Sequence, residues 1–458
     1  MILRHPLAVS TLLLGSMSLL GGCHPGRADA WSAQGEHPGD RFGAKVAPAG
    51  DLNGDGYADL AVWAENFEQS RGKVYVYLGG PRGPQRTPAF AQAGEGPIDQ
   101  YGHSFGGMGD VDGDGFEDFL VAAQNFGGVR DGKASAGKAY LYPGGPAGPS
   151  TQALWTRVGD GGDLFGDCSA PAGDYNRDGH ADVIIGAYGF DGGRGRVHLF
   201  HGGPQGLGRA PVWTVEGGKK EDWFGYSVFQ AGDLNGDGFP EIAIGAKNAG
   251  HGGLHSAGKA YVYCGSAAGA ARQPCWTGHG EANGAFYGWR AIAAGDVNAD
   301  GFGDLAVSAY KHSGAGGSSS GKVYLYCGST QGLGARPCWT REGPSPIAHY
   351  GHSVAAGDFN GDGFSDLLAG CPGCPPGGRV ELFLGGAQGL GGEPAWTLQG
   401  EGALGTYVAN AGDVDGDGLP DALLGEPGHA MGDPLPPGQA HLYYGRKDGS
   451  LSPKPPLF

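Results

Sequence analysis

The chain has no H-E-x-x-H, no Walker loop and no dinucleotide fingerprint, so zinc-protease, P-loop and Rossmann chemistry have no footing in it. Basic residues are scarce: Lys and Arg number 30 against 47 Asp and Glu, a formal charge of −17. That balance excludes the basic surface on which nucleic acid binds, and no nucleic-acid partner is expected. Methionine (4 residues) and cysteine (8 residues) are few. The apolar run within residues 1–20 is too short to be a stable membrane span. What the chain has in excess is glycine, 97 residues, yet valine, tyrosine, phenylalanine and tryptophan recur at fixed places among them, so the glycines read as turns rather than as disorder.

The strongest recurrent feature is an acidic decapeptide. Residues 50–59, GDLNGDGYAD, put Asp51, Asn53, Asp55 and Asp59 at positions 1, 3, 5 and 9 of a loop, with the carbonyl of Tyr57 at position 7. The pattern returns as Asp110, Asp112, Asp114, Phe116 and Asp118; as Asp174, Asn176, Asp178, His180 and Asp182; and as Asp233, Asn235, Asp237, Phe239 and Glu241. It returns again as Asp296, Asn298, Asp300, Phe302 and Asp304; as Asp358, Asn360, Asp362, Phe364 and Asp366; and as Asp413, Asp415, Asp417, Leu419 and Asp421. Five to seven oxygens around one point, on a loop whose position-6 glycine permits a sharp turn, suit Ca²⁺ better than Mg²⁺. An EF-hand would need a bidentate Glu at position 12 and flanking helices; here the flanks are strands. An Asx-turn hairpin without metal explains one such loop, but acids so close repel when uncompensated, and there are seven. Nearly half of the acidic residues lie in these loops, and seven divalent ions would reduce the formal charge to about −3. The ligand set leaves no open position, so the ions are expected to stabilise the fold rather than catalyse. Arg177 inside the third loop points to weaker binding there.

Taken in order, residues 1–22 read as an export signal ending Leu20-Gly21-Gly22-Cys23, which resembles the lipobox of bacterial lipoproteins. Cys23 is then the lipidated N-terminus and 23–30 a tether. The competing cleavage site, Ala28-Asp29-Ala30, lies far from the apolar run. His24 stands where an Asp would suggest inner-membrane retention, which favours the outer membrane or cell surface; secretion is the alternative.

From Trp31 on, the loops recur at intervals of roughly 55–64 residues, the signature of a repeat architecture. One unit has a strand opening at Trp213-Thr214, another at Phe224-Gly225 that runs into the acidic loop, then Glu241–Ala246 (EIAIGA) and residues 258–263 (GKAYVY). Four short strands per unit with glycine-rich turns predict propeller blades. The pairs Phe42-Gly43, Tyr101-Gly102, Phe165-Gly166, Phe224-Gly225, Tyr287-Gly288 and Tyr350-Gly351 bring a resemblance into view. With the acidic loop and the segments Ile185-Gly186-Ala187 and Ile244-Gly245-Ala246, they resemble the FG-GAP repeat of integrin α-subunit propellers. The resemblance covers 31–458 and implies an all-β, seven-bladed propeller with the cation loops on one face and ligands on the other. Local departures are Leu404-Gly405 in place of FG, a sixth copy one residue short between Tyr350 and Asp358, and Val62-Trp63-Ala64 and Val121-Ala122-Ala123 in place of GA. The seventh copy lacks a WT strand, and Trp31-Ser32 is expected to supply it and close the ring. The tail, Pro455-Pro456-Leu457-Phe458, is the rival for that slot.

Cys264 with Cys275, and Cys327 with Cys338, flank equivalent turns in successive repeats and are expected as disulfides, which export permits. Cys371 and Cys374 are read as a small structural disulfide, since no helix follows to lower a thiol pKa; Cys168 is left as a buried thiol. Gly102-His103-Ser104-Phe105-Gly106 fits G-x-S-x-G but sits in a strand, not at a strand-to-helix turn. Asp448-Gly449-Ser450-Leu451-Ser452 fits a D-x-S-x-S metal motif without its supporting sheet. No catalytic constellation is found. Candidate ligand contacts on the face away from the loops are Tyr188, Phe190, Asp191, Arg194, Trp223, Tyr310, Lys311, His312 and His349. The expectation is an exported, lipid-anchored, Ca²⁺-binding adhesion or binding module for a protein or glycan; the alternative is a lectin or polysaccharide-active enzyme, or an accessory to a phospholipase-like domain.

Overall fold

The second strand of every unit is largely apolar, such as Asp59–Ala64 (DLAVWA), Asp182–Ala187 (DVIIGA) and Asp304–Ala309 (DLAVSA), and every residue of these is buried. A strand covered on both faces must lie between two other sheets, and that is where the fold puts it. The computed structural model describes residues 30–128, 135–428 and 437–453, and in it the strands form seven antiparallel sheets arranged as blades. Each blade runs outward from an inner strand that contains the FG pair, as Phe42–Gly50 does, or follows it within a few residues, as Arg290–Gly295 does. In the first blade these are Phe42–Gly50, Asp59–Ala64, Lys73–Tyr77 and Phe90–Ala93. The apolar clusters sit mainly between neighbouring blades; one joins Phe42, Leu60 and Tyr75 of the first to Leu423, Leu442 and Tyr444 of the seventh. Among the described residues no helix is long and apolar enough to cross a membrane. The apolar segment and Cys23 lie outside the described residues.

The FG and GA glycines have one shared cause. A Cβ on Gly245 would lie 2.0 Å from the carbonyl oxygen of Gly288, and one on Gly186 would lie 2.3 Å from that of Gly225. The GA glycine of one blade is thus pressed onto the FG glycine of the next, and close backbone approach is what glycine allows. Where Trp63 and Ala122 replace the GA glycine, they pack against Gly102 and Gly166 of the next blade instead. The residue missing from the sixth copy also has a visible effect. Its inner strand, Val354–Gly357, pairs in continuous register, whereas Phe42–Gly50 and Phe224–Gly232 shift register just before their loops.

The ring closes as expected at its N-terminal end. Ser32–Gln34 pairs with Gln439–Gly445, the third strand of the seventh blade. Trp31 is buried against Tyr77, its ring centroid 5.3 Å away, and its Nε1 donates to Gln85 O at 3.2 Å. Trp213, Trp276 and Trp339 make the same bond to the next blade, so Trp31 is the displaced member of that set. The tail also reaches this strand, where Leu451–Ser452 pairs with Tyr444 and Gly445 beyond the slot that Ser32–Gln34 occupies; residues 454–458 lie outside the described ones. Trp31→Ala should therefore destabilise the whole ring by about 3–5 kcal/mol, the range for buried Trp truncation, read as a lower urea midpoint. A midpoint unchanged from wild type would mean that the first strand does not close the fold.

Three disulfides form, Cys264–Cys275, Cys327–Cys338 and Cys371–Cys374, while Cys168 is a buried free thiol. Disulfides of this kind persist in oxidising compartments.

Candidate functional site

The seven acidic loops join inner to second strands and so share one face. Within each, the chain folds onto its own carboxylates. In the first, Asp51 accepts the N–H groups of Asp55 (3.1 Å) and Gly56 (2.8 Å), and Asp55 accepts that of Tyr57 (3.1 Å). The same bonds recur in the others, for example Asp178 N and Gly179 N to Asp174, and Asp417 N and Gly418 N to Asp413. In the second and seventh loops, Asp110, Asp112 and Asp118, and Asp413, Asp415 and Asp421, bring three carboxylate oxygens within 4.8 Å of one another. Asp415 keeps a buried oxygen, Oδ2, without a hydrogen-bond partner. The donors are hard oxygens throughout, and the loops fit a hard divalent cation. Arg177 does not point into its loop; its guanidinium donates to Gly238 O at 2.8 Å and lies over the Phe239 ring of the next blade.

Position 9 has a second task that sequence does not reveal. Asp59 is fully buried, with Oδ2 accepting Leu52 N–H of its own loop at 2.9 Å and Oδ1 accepting Gly79 N–H, just past the third strand, at 2.8 Å. The pair of bonds repeats in every blade; the distant partners are Gly144, Gly202, Gly265, Gly328, Gly385 and Gly445. A carboxylate has about four lone-pair sites, so this leaves capacity for an ion. Burial, with the acids of the same loop adding to it, pushes these carboxyls up: to about 7 for Asp59, Asp118, Glu241 and Asp366, about 6 for Asp304 and about 8 for Asp421.

The opposite face opens into a funnel of about 670 Å³ around the ring axis, within the range of about 300–1,000 Å³ usual for small-molecule sites. The two residues after each FG glycine build much of it, and most blades carry a different pair: Lys45, His103, Asp167, Tyr226, Trp289 with Arg290, His352 and Tyr407. Arg290, 8% exposed, crosses the axis and donates to the Tyr407 hydroxyl at 2.6 Å. Lys45 donates to His103 O at 2.8 Å. These two, with Cys168 and Tyr407, also line a smaller cavity of about 330 Å³ further along the axis, so they form the funnel's floor. Lys247 packs behind the wall, 3.3 Å from the Tyr226 ring centroid and 4.4 Å from that of Trp289, and burial pulls its ammonium down to about 7. Burial likewise holds His103 down to about 3 and His352 to about 4, so both are neutral at pH 7, and it pushes Asp167 up to about 7.

Of the ligand contacts expected from sequence, Tyr310, Lys311 and His349 line the funnel. Tyr188 and Trp223 lie 5.3 Å apart, tilted, beside Tyr226, Phe190 and Arg194 pair with each other nearby, and Asp191 binds Arg194 and Lys220. His312 is buried rather than displayed. The inner-strand residues were not among those expectations. Ser104, in the G-x-S-x-G stretch, lies in the inner strand Tyr101–Gly107 and bonds Ser169 Oγ at 2.8 Å and Ser169 N at 2.9 Å. Asp448 accepts the N–H and hydroxyl of Ser450, as an ordinary turn does.

A closed ring of seven four-stranded blades, each with an acidic loop on one face, defines the class of protein. The FG-GAP repeat model matches residues 42–77, 104–142, 169–200, 224–263, 288–326 and 350–379, and the chain belongs to the FG-GAP repeat propellers. The seventh blade, where Leu404 replaces the aromatic, is outside those matches. The chain is similar to integrin alpha-IIb of Mus musculus (34% identical over 168 residues, 35% of this chain and 16% of that protein). It is similar also to integrin alpha pat-2 of Caenorhabditis elegans (28% over 234 residues, 47% and 18%). It thus spans less than one fifth of the length of these relatives. A solved structure described as "Structure of Dos1 propeller" aligns with a TM-score of 0.45 and 12% identity, covering 87% of this chain and 76% of that one.

Proposed function

We propose that the chain is an exported, Ca²⁺-stabilised surface module for binding or adhesion, anchored in the bacterial outer membrane through lipidated Cys23, with its ligand, a protein or a glycan, on the face away from the loops. The observation that carries this reading is the contrast between a repeated frame and an unrepeated funnel. Glycines, loops and second strands recur from blade to blade, whereas the residues at the axis vary, only His103-Ser104 and His352-Ser353 being alike as pairs, and recognition resides where a rigid frame displays variable side chains. Each Ca²⁺ would be held by the carboxylates and amides at positions 1, 3, 5 and 9 and the carbonyl at position 7, as a fixed charge that stiffens the loop.

Adhesion of the purified protein to immobilised protein and glycan arrays in Ca²⁺ tests the binding role. Binding should be lost in Trp289→Ala with Tyr310→Ala and kept in a variant of the exposed outer strands such as Thr397→Ala. Binding that ignores the funnel variants, or turnover of a polysaccharide abolished by them, would overturn it. For the anchor, labelling with a fatty-acid analogue in the producing cell should mark wild type and not Cys23→Ala; equal labelling would remove Cys23 as the lipid site.

A further inference from the structure

Several partly exposed cations of this chain hold a carboxylate. Lys73 holds Glu36 at 2.6 Å, Lys138 holds Glu95 at 2.6 Å and Lys322 holds Glu281 at 2.9 Å. The funnel floor has no such contact. Among the described residues neither Lys45 nor Arg290 has a carboxylate within 4 Å, and their hydrogen-bond partners are the His103 carbonyl and the Tyr407 phenol, both neutral. Asp167, in the same funnel, lies instead against His103, 3.2 Å away. A guanidinium that is 8% exposed with no carboxylate in contact is costly; Asp167 acts on it and on Lys45 only from a distance. In a chain of formal charge −17, such an arrangement is a place made for an anion.

The walls narrow the kind of anion. The same funnel is lined by flat rings, Trp63, Trp289 and Tyr310, and by the neutral imidazoles of His103 and His352. A pyranose has a C–H face that lies on an aromatic ring, hydroxyls that bond imidazole nitrogens and, in a uronic acid, one carboxylate at its edge. An acidic peptide would need backbone partners as well. The carbonyls of funnel residues are occupied by neighbouring side chains: Lys45 on His103 O (2.8 Å), His103 Nδ1 on Asp167 O (3.2 Å), Trp289 Nε1 on His352 O (2.8 Å) and His352 Nδ1 on Thr406 O (2.9 Å). That leaves little strand edge for a peptide to extend.

We propose that the funnel is a binding site for the uronic acid residue of an acidic polysaccharide, its carboxylate on Lys45 and Arg290 and its ring against the partly exposed Tyr310, which Trp289 backs at 4.3 Å. This rests on the reading of the funnel face as the ligand surface. The test is calorimetric titration of the full chain in Ca²⁺ with trigalacturonate and with a glucuronate-containing tetrasaccharide, against methyl-esterified trigalacturonate and hexaglutamate. At least one uronate should bind, its esterified or uncharged form at least tenfold more weakly, and hexaglutamate should fail to displace it. Lys45→Gln and Arg290→Gln should each weaken binding at least tenfold. Arg290 crosses the axis and its loss could disturb the ring, so Lys45→Gln with an unchanged melting temperature is the deciding variant. Absence of uronate binding, equal binding of the ester, displacement by hexaglutamate, or a Lys45→Gln protein that binds as wild type would each overturn the proposal. If uronates fail while Trp289→Ala with Tyr310→Ala still abolishes array adhesion, the adhesion reading stands and only the ligand class falls.

Discussion

Adding EDTA to the protein at pH 7.5 should lower its Tm by about 10–20 °C, and restoring Ca²⁺ should bring it back. A ligand that binds only the folded state at a hundred times its Kd contributes about 2.7 kcal/mol per site, so three occupied loops give about 8 kcal/mol and seven about 19 kcal/mol. With an unfolding entropy of about 2.1 cal/mol/K per residue, a ring of this size loses roughly 1 °C for each kcal/mol. The sign of the pH dependence follows from the position-9 carboxyls. Their folded values, about 6 to 8, lie above the unfolded values near 4. Without ions, the folded state holds more protons than the unfolded one between about pH 4 and pH 8. Its stability is therefore greatest at the low end of that window and is lost as pH rises through the folded values. Calcium replaces those protons, so the Tm gain from Ca²⁺ should be larger at pH 8 than at pH 5. Thermal melts at both pH values with and without EDTA read this directly; a gain that is the same at both, or no gain at all, would count against the loops as cation sites.

Sequence carried the frame because the frame is periodic. The FG and GA pairs, the apolar second strands and the displaced Trp31 are each visible as a member of a set, and a set predicts where its missing member must be. The funnel is different in kind. Lys45, Asp167, Arg290 and Tyr407 are spread over most of the chain and meet only because the ring closes, and none repeats, so periodicity passes over them. The one available signal was that variability itself: the residues after each FG glycine change in most copies, His103-Ser104 and His352-Ser353 excepted, while the frame around them is held. The double duty of position 9 was hidden for a related reason. The loop pattern identifies Asp59 as an acid in a loop, but its bond to Gly79 depends on how the third strand returns over that loop.

That double duty yields the second large effect, and one that separates metal binding from folding. Asp59→Ala leaves the N–H groups of Leu52 and Gly79 buried and unpaired. At about 1–3 kcal/mol for each unsatisfied group, the variant should lose roughly 2–6 kcal/mol even in EDTA, when no ion is there to be lost. Asp55→Ala removes an exposed carboxylate that accepts the Tyr57 N–H. In EDTA it should cost little, because water reaches that N–H, and in Ca²⁺ it should cost what one site contributes. Urea unfolding of both variants in both buffers gives four numbers. If the loops were only cation ligands, the two variants would behave alike, silent in EDTA and weakened in Ca²⁺. If position 9 also fastens each loop to the end of the third strand, Asp59→Ala will be weakened in both buffers and Asp55→Ala in Ca²⁺ alone.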